Sequence, residues 1–244
     1  MFRHQGKTRT VKHNLQIASL LSFVAGMVNV AGFLAVQQLT TNVTGHFAYF
    51  VDQVFKLHFW NGLVYFLYIL FFFLGAFISS LLVEYVALKN ENKTYILPIV
   101  IEIVLLLFVA TLGKNLIENY ANLIVCILLF AMGLQNSLVT KTSNTTVRTT
   151  HLTGLFTDLG IEISQLIFYT QPILKIKLYA SIKLRLTIIS FFFIGGIIGG
   201  LMYTKIKLYV LFIAAAVLIA GIVYDNIKLS ILLLKRKHHN TQIP

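Results

Sequence analysis

Long apolar runs broken by short basic links constrain this chain more than any other feature. The run from about Leu15 to Val36 holds about 20 residues of nearly unbroken apolar character. Comparable runs lie at about Trp60 to Leu88, Tyr95 to Leu112, Tyr120 to Thr140, Leu186 to Thr204 and Lys207 to Leu234. An α-helix rises ~1.5 Å per residue, so about 20 residues cross the ~30 Å hydrocarbon core of a bilayer. Backbone N–H and C=O groups in hydrocarbon must be satisfied within the segment, which selects helix for such runs. Over 244 residues the chain is 57% hydrophobic and 11% charged, a balance that excludes an ordinary soluble domain. The expected fold class is an all-α polytopic membrane protein.

The formal net charge of +12 is no signature of nucleic-acid binding, because the basic residues sit at the termini and between the apolar runs. Residues 1–14 carry Arg3, Lys7, Arg9 and Lys12 ahead of an apolar run without a clear small-x-small cleavage site, so a retained helix with a cytoplasmic flank is expected. Residues 235–244 form a basic tail, expected to be cytoplasmic and disordered. A loop at Gln171 to Arg185 with Lys175, Lys177, Lys183 and Arg185 is a further cytoplasmic signal. The single Cys126 excludes an internal disulfide framework and any Cys-rich metal site.

Against this apolar background one polar stretch stands out. Thr40-Thr41-Asn42-Val43-Thr44-Gly45 returns as Thr149-Thr150-His151-Leu152-Thr153-Gly154. Phe23-x-x-Gly26-x-x-Asn29 likewise returns as Phe130-x-x-Gly133-x-x-Asn136, with Gln135 adding a second amide. Phe71-Phe72-Phe73-Leu74-Gly75 returns as Phe191-Phe192-Phe193-Ile194-Gly195. The shared order of the landmarks predicts an internal duplication, with units at residues 15–112 and 120–234. If each Thr-rich segment re-enters the membrane, the halves are inverted, with about six full spans and two short or broken motif helices; if it crosses, they are parallel, with about eight. The positive-inside rule favours six, which puts Lys89/Lys93 and Lys141/Arg148 inside, although Lys114 goes the other way and Lys205/Lys207 fit neither arrangement.

The hydroxyls of Thr40, Thr41, Thr44, Thr149, Thr150 and Thr153, the amides of Asn29, Gln135 and Asn136, and the small Gly45 and Gly154 form a candidate binding set. If each motif opens a half-helix, free N–H groups and the positive dipole end favour an anion or a carboxylate. His46, Asp52, Glu102, His151, Asp158 and Glu162 are candidates for proton or ion coupling. Glu102 sits about seven residues into an apolar run, where a carboxylate facing lipid is costly, so it should face the interior, be protonated or pair with a cation; the alternative is an interfacial Glu on a helix that starts later. Gly154, Asp158 and Glu162 are spaced by four and share a helical stripe. The competing reading is that the threonines cap two helix starts and bind no ligand.

With Met132-Gly133-x-Gln135-Asn136, Gly26-x-x-Asn29, Thr44-Gly45 and Thr153-Gly154 in view, the chain resembles the YoaK-like family of bacterial inner-membrane proteins, a domain of unknown function, over nearly its whole length. The resemblance implies a bacterial plasma membrane location and supplies no substrate. The chain departs from the family pattern at Asn29, where an Asp is usual, and at His46, where an Asn is usual.

Paired interruptions at equivalent places in two halves point to a secondary transporter or channel-like permease for a small polar or ionic solute. A membrane scaffold or stress-associated partner protein is the alternative. The Gly195, Gly196, Gly199 and Gly200 face would suit helix packing or a homo-oligomer. Metal-site, nucleophile-elbow and phosphate-loop spacings are absent from the sequence, so neither an enzyme nor a cofactor is expected. The expected partners are the lipid bilayer and a small-molecule or ion substrate.

Overall fold

A computed structural model describes residue 2 and residues 9–88, 94–143 and 145–240, which contain helices and no strand. In chain order the helices are α1 (Val11–Val36), α2 (Thr44–Phe55), α3 (Phe59–Ala87), α4 (Ile96–Thr142), α5 (Leu152–Phe168), α6 (Pro172–Ile206) and α7 (Val210–Asn240); a 3-10 turn at Lys207–Tyr209 joins the last two. Four helical stretches are long and apolar enough to cross a membrane: Val11–Val36, Phe59–Ala87, Ile96–Thr142 and Pro172–Lys228. Lys89 and Lys93, whose placement bears on topology, and Arg3 and Lys7 lie outside the described residues.

Two stretches differ from expectation. The basic segment after Gln171 is the opening of α6 rather than a loop. Pro172 sits in the first turn, where its missing N–H breaks no helical bond, and nothing from Ile173 to Arg185 is Gly or Pro. The C-terminal basic run continues α7 as far as Asn240 instead of leaving it disordered, in keeping with the good helix propensity of Lys and Arg.

Where the helices stop decides where the motifs go. At the end of α1, Gln37 takes a left-handed conformation (φ 52°) and its N–H bonds Phe33 O, so the chain turns back along the helix it has left. α4 is interrupted at Tyr120 (φ −135°, ψ 37°), which divides its 47 residues into two segments.

Two seams of small residues hold the bundle. A side chain on Gly26 of α1 would put its Cβ 2.0 Å from Phe192 O of α6, and one on Gly195 would put it 2.1 Å from Phe23 O. The second seam joins α3 to the later part of α4: a Cβ on Gly75 would lie 2.1 Å from Phe130 O, and one on Gly133 2.2 Å from Phe72 O. Backbones approach this closely only because these positions carry no side chain. Phe23 meets Gly195 and Val30 meets Gly200, so α1 and α6 run in the same direction. Tyr68 OH donates to Asn122 Oδ1 (2.6 Å) below the Gly75 contact, so α3 and this part of α4 are also parallel. Ile17, Leu21 and Met27 of α1, Ile99 and Leu106 of α4, and Leu211 and Leu218 of α7 share the main core. Phe73, Phe77, Phe193 and Leu201 point outward, as lipid-facing positions do.

The two short helices form antiparallel hairpins with their successors, built by different chemistry. Tyr49 of α2 stacks on Tyr65 of α3 (5.2 Å), Phe50 lies against Phe66 (5.9 Å), and His46 meets Tyr68 edge-on (4.9 Å). On the α5–α6 side, Arg185 reaches Asp158 Oδ2 (2.7 Å) and Glu162 Oε2 (2.8 Å), while Ser181 Oγ donates to Glu162 Oε1 (2.6 Å). One hairpin closes on rings and the other on charges.

Candidate functional site

Both Thr-rich motifs fold back onto the helix that precedes them. Thr41 Oγ1 donates to Asn29 Oδ1 (2.7 Å), and Thr40 Oγ1 lies at hydrogen-bonding distance from Val28 O (3.4 Å). In the second half Thr149 Oγ1 donates to Asn136 Oδ1 (3.2 Å). Gln135 Nε2 donates to that same threonine (3.3 Å) and to Leu21 O of α1 (3.0 Å), tying the second motif to the first helix. Asn136 completes the arrangement by donating its amide to Met132 O (2.9 Å). Thr40, Thr41, Gln135 and Thr149 are all buried, so each bond is made away from solvent. These bonds give the threonine hydroxyls and the Gln135 and Asn136 N–H groups partners in apolar surroundings, while Gln135 Oε1 has none among the described residues.

The threonines do not cap the short helices. Val43 stands at the start of α2 and His151 at the start of α5, and neither helix has a side-chain cap bond. The nearest approach is Asn42 Oδ1, 3.5 Å from the Gly45 N–H, at the limit of a hydrogen bond. Gly154 makes room for a ring: a Cβ there would lie 2.4 Å from His151 Cε1.

What the two motifs share is a pocket of about 310 Å³. From the first motif it takes Thr41, Asn42, Val43 and Thr44; from the second, Arg148, Thr150 and His151. Phe72 of α3 and Asn136 and Thr140 of α4 complete the lining. Residues bearing hydroxyl, amide, imidazole and guanidinium groups therefore line one space, and among the described residues no carboxylate does.

Of the residues singled out by sequence, Thr41, Thr44, Asn136, Thr150 and His151 line this pocket. Asn29, Thr40, Gln135 and Thr149 stand behind it as the bonded support just described. Gly45, Thr153 and Gly154 open the two short helices and do not line the pocket; Thr153 is exposed.

The titratable candidates are scattered. His46 is buried outside the lining, with Nε2 2.7 Å from Leu39 O and Nδ1 without a partner. Asp52 is exposed and bound to Lys56 (2.9 Å), which holds its carboxyl below the usual carboxylate range. Asp158 and Glu162 are committed to Arg185. Glu102 is fully buried in α4 away from the pocket, and neither of its oxygens has a hydrogen-bond partner among the described residues.

Sequence reasoning missed Asn42, Val43, Phe72, Thr140 and Arg148. Thr140 had a legible signal, since it falls four residues after Asn136 and so on the same helical face. Arg148 had one too: it directly precedes Thr149-Thr150, but was read only as a marker of topology.

The model of a protein family described as proteins of unknown function (DUF1275) matches residues 17–224, and the chain belongs to this family. No curated protein and no solved structure matches the chain.

Proposed function

We propose that this member of the DUF1275 family is a secondary transporter or channel-like permease, in which a small polar or ionic solute binds between the two Thr-rich motifs. The observation that carries this reading is that Thr41 and Thr44 line the same pocket as Thr150 and His151, though about a hundred residues of chain separate the motifs. Polar loops from two places, meeting in one cavity behind short helices, resemble the discontinuous helices of carriers.

The reading includes a duplicated, inverted architecture with six crossings and two re-entrant helices. At ~1.5 Å per residue, the 47 residues of α4 would reach roughly 70 Å, over twice a bilayer core, so its interruption at Tyr120 is read as a reversal between two spans. Ala110, Lys114 and Ile117, just before that point, share a groove with the α6–α7 junction at Tyr203 to Tyr209. The 12 residues of α2 cover only about 18 Å, too little for a crossing. The exchanged seams, α1 with α6 and α3 with the later part of α4, support a pseudo-twofold relation between halves. The membrane is a bacterial plasma membrane, in keeping with the resemblance to YoaK-like proteins, and both termini are cytoplasmic on the strength of their basic residues.

Single cysteines at Leu57 and Gln171 in a Cys126→Ala background test the topology. Labelling from opposite sides supports the inverted arrangement; labelling from the same side supports eight crossings. Flux into proteoliposomes tests the function over a panel of anions, amino acids and cations. Thr44→Val and Thr150→Val are expected to abolish flux that Thr153→Val leaves intact. Absence of flux across the panel, with no ligand-induced thermal shift, would hand the chain to the scaffold reading.

A further inference from the structure

The pocket has an electrostatic bias that the class "small polar or ionic solute" does not use. Among the described residues its lining carries one permanent cation, Arg148, and one imidazole, His151, with no acid. Acids near the short helices and their hairpins already have cations: Asp52 has Lys56, Asp158 and Glu162 have Arg185, and Glu84 of α3 has Lys141. Arg148 is different. Its guanidinium makes no hydrogen bond or ion pair with any described residue, although it offers five N–H donors in a planar fork. Arg148 is also exposed at the pocket, so its guanidinium is open to water or to an entering anion.

Other groups around the same space also favour negative charge. The starts of α2 and α5 both reach the pocket, through Val43 and Thr44 and through His151, and neither has a side-chain cap. Their positive ends add to the field of Arg148. Thr44, Thr140 and Thr150 supply hydroxyl donors. The volume of about 310 Å³ holds on the order of ten water volumes at ~30 Å³ each, which sets the size of the ligand at a few to about ten heavy atoms.

From these observations we infer that the pocket selects a small oxyanion, carboxylate or inorganic, and that Arg148 is its charge-pairing residue. The inference rests on the site of the proposed permease and names its substrate class. Phe72 and Val43 give the pocket an apolar wall on which the carbon end of a short carboxylate can rest. A cation or a cationic amine would meet Arg148 without a counter-charge.

The test is binding and flux on the full-length protein. In detergent, its thermal stability is followed against sodium acetate, inorganic phosphate and sulfate, and against choline and ammonium chloride as cation probes, at matched ionic strength. Wild type is expected to be stabilised by at least one of the three oxyanions, and acetate against phosphate and sulfate separates the carboxylate from the inorganic source. Arg148→Gln is expected to weaken that binding at least tenfold, with Arg148→Lys intermediate because it keeps the charge and loses the fork. The melting temperature of Arg148→Gln without ligand is measured first, and a value matching wild type makes the loss a loss of binding. Should that variant fail to fold, the comparison of wild type with Arg148→Lys decides.

Stabilisation by choline or ammonium alone, or equal oxyanion binding in wild type and both Arg148 variants, overturns the inference. Oxyanion binding that depends on Arg148 without any flux in proteoliposomes sustains the ligand class and sinks the permease. Flux of a cation or neutral solute that ignores Arg148 does the reverse.

Discussion

Gly26→Ala should separate the seam that joins α1 to α6. The added methyl falls 2.0 Å from Phe192 O, whereas real Cβ contacts of this kind do not come under 3.0 Å. The obstruction is a backbone carbonyl, so no side chain can swing aside. The helices must part by about 1 Å at that level, and a gap of that size forfeits roughly a quarter to a half of each dispersion contact it opens. Overpacking of this kind costs about 1–3 kcal/mol, and Ala recovers up to about 1 kcal/mol of helix propensity over Gly. A net loss of about 1 kcal/mol corresponds to a fall of roughly 2–4 °C in Tm for a chain of this length.

The protein carries its own reporter for that measurement. Cys126, the single cysteine, is buried, so a thiol-reactive fluorogenic dye in detergent reads its exposure on unfolding. The control is Gly160→Ala on α5, where a new Cβ has nothing within 4 Å and the same chemistry should be neutral or raise stability by up to ~1 kcal/mol. If Gly26→Ala melts with or above Gly160→Ala, the close approach of α1 and α6 is not holding the bundle together.

Gln135→Leu removes the bonds to Leu21 O and Thr149 and should lower Tm by a few degrees, for a loss of about 1 kcal/mol in the same assay. Arg185→Gln leaves Asp158 and Glu162 facing each other without a cation; it should destabilise the α5–α6 hairpin, and adding Glu162→Gln should recover part of the loss in a double-mutant cycle. Glu102→Met replaces a fully buried carboxyl that has no hydrogen-bond partner among the described residues with an apolar side chain of similar length, and should raise stability by about 1–3 kcal/mol. A lower Tm for that variant would mean that the carboxyl has a partner in the membrane.

Much of this architecture is legible in the sequence because the membrane simplifies the code. Apolar runs of about 20 residues located α1, α3 and both parts of α4, since in hydrocarbon the backbone has few alternatives to helix. The Phe-x-x-Gly and Phe-Phe-Phe-x-Gly landmarks turned out to be the contact points of the two seams, a pairing that the order of motifs does not reveal. The interior of the Thr-rich motif was harder to read. Three threonines of one type go to different places: Thr40 and Thr41 are buried on α1, while Thr44 stays exposed at the start of α2. Residue type records the hydroxyl, but the reversal at Gln37 decides what it meets. The basic run after Gln171 misled for a related reason. Charge marks which side of a membrane a segment prefers, and it says little about whether the backbone coils there, so α6 begins well before its apolar part.

The exchange of helices between the two ends of the chain has a consequence for how the protein is made. α1 emerges first, yet the surface that fits Gly26 is supplied by Phe192 and Gly196 far downstream. At synthesis rates of about 5–20 residues per second, α1 waits roughly ten to thirty seconds for it. During that interval its small-residue face is open to any neighbouring helix in the bilayer. Assembly therefore depends on late, distant partners, a high-contact-order route that slows folding and leaves truncated chains without their tightest seam. A stop after α5 would strip α1 of its partner while leaving the seam between Gly75 and Gly133 complete.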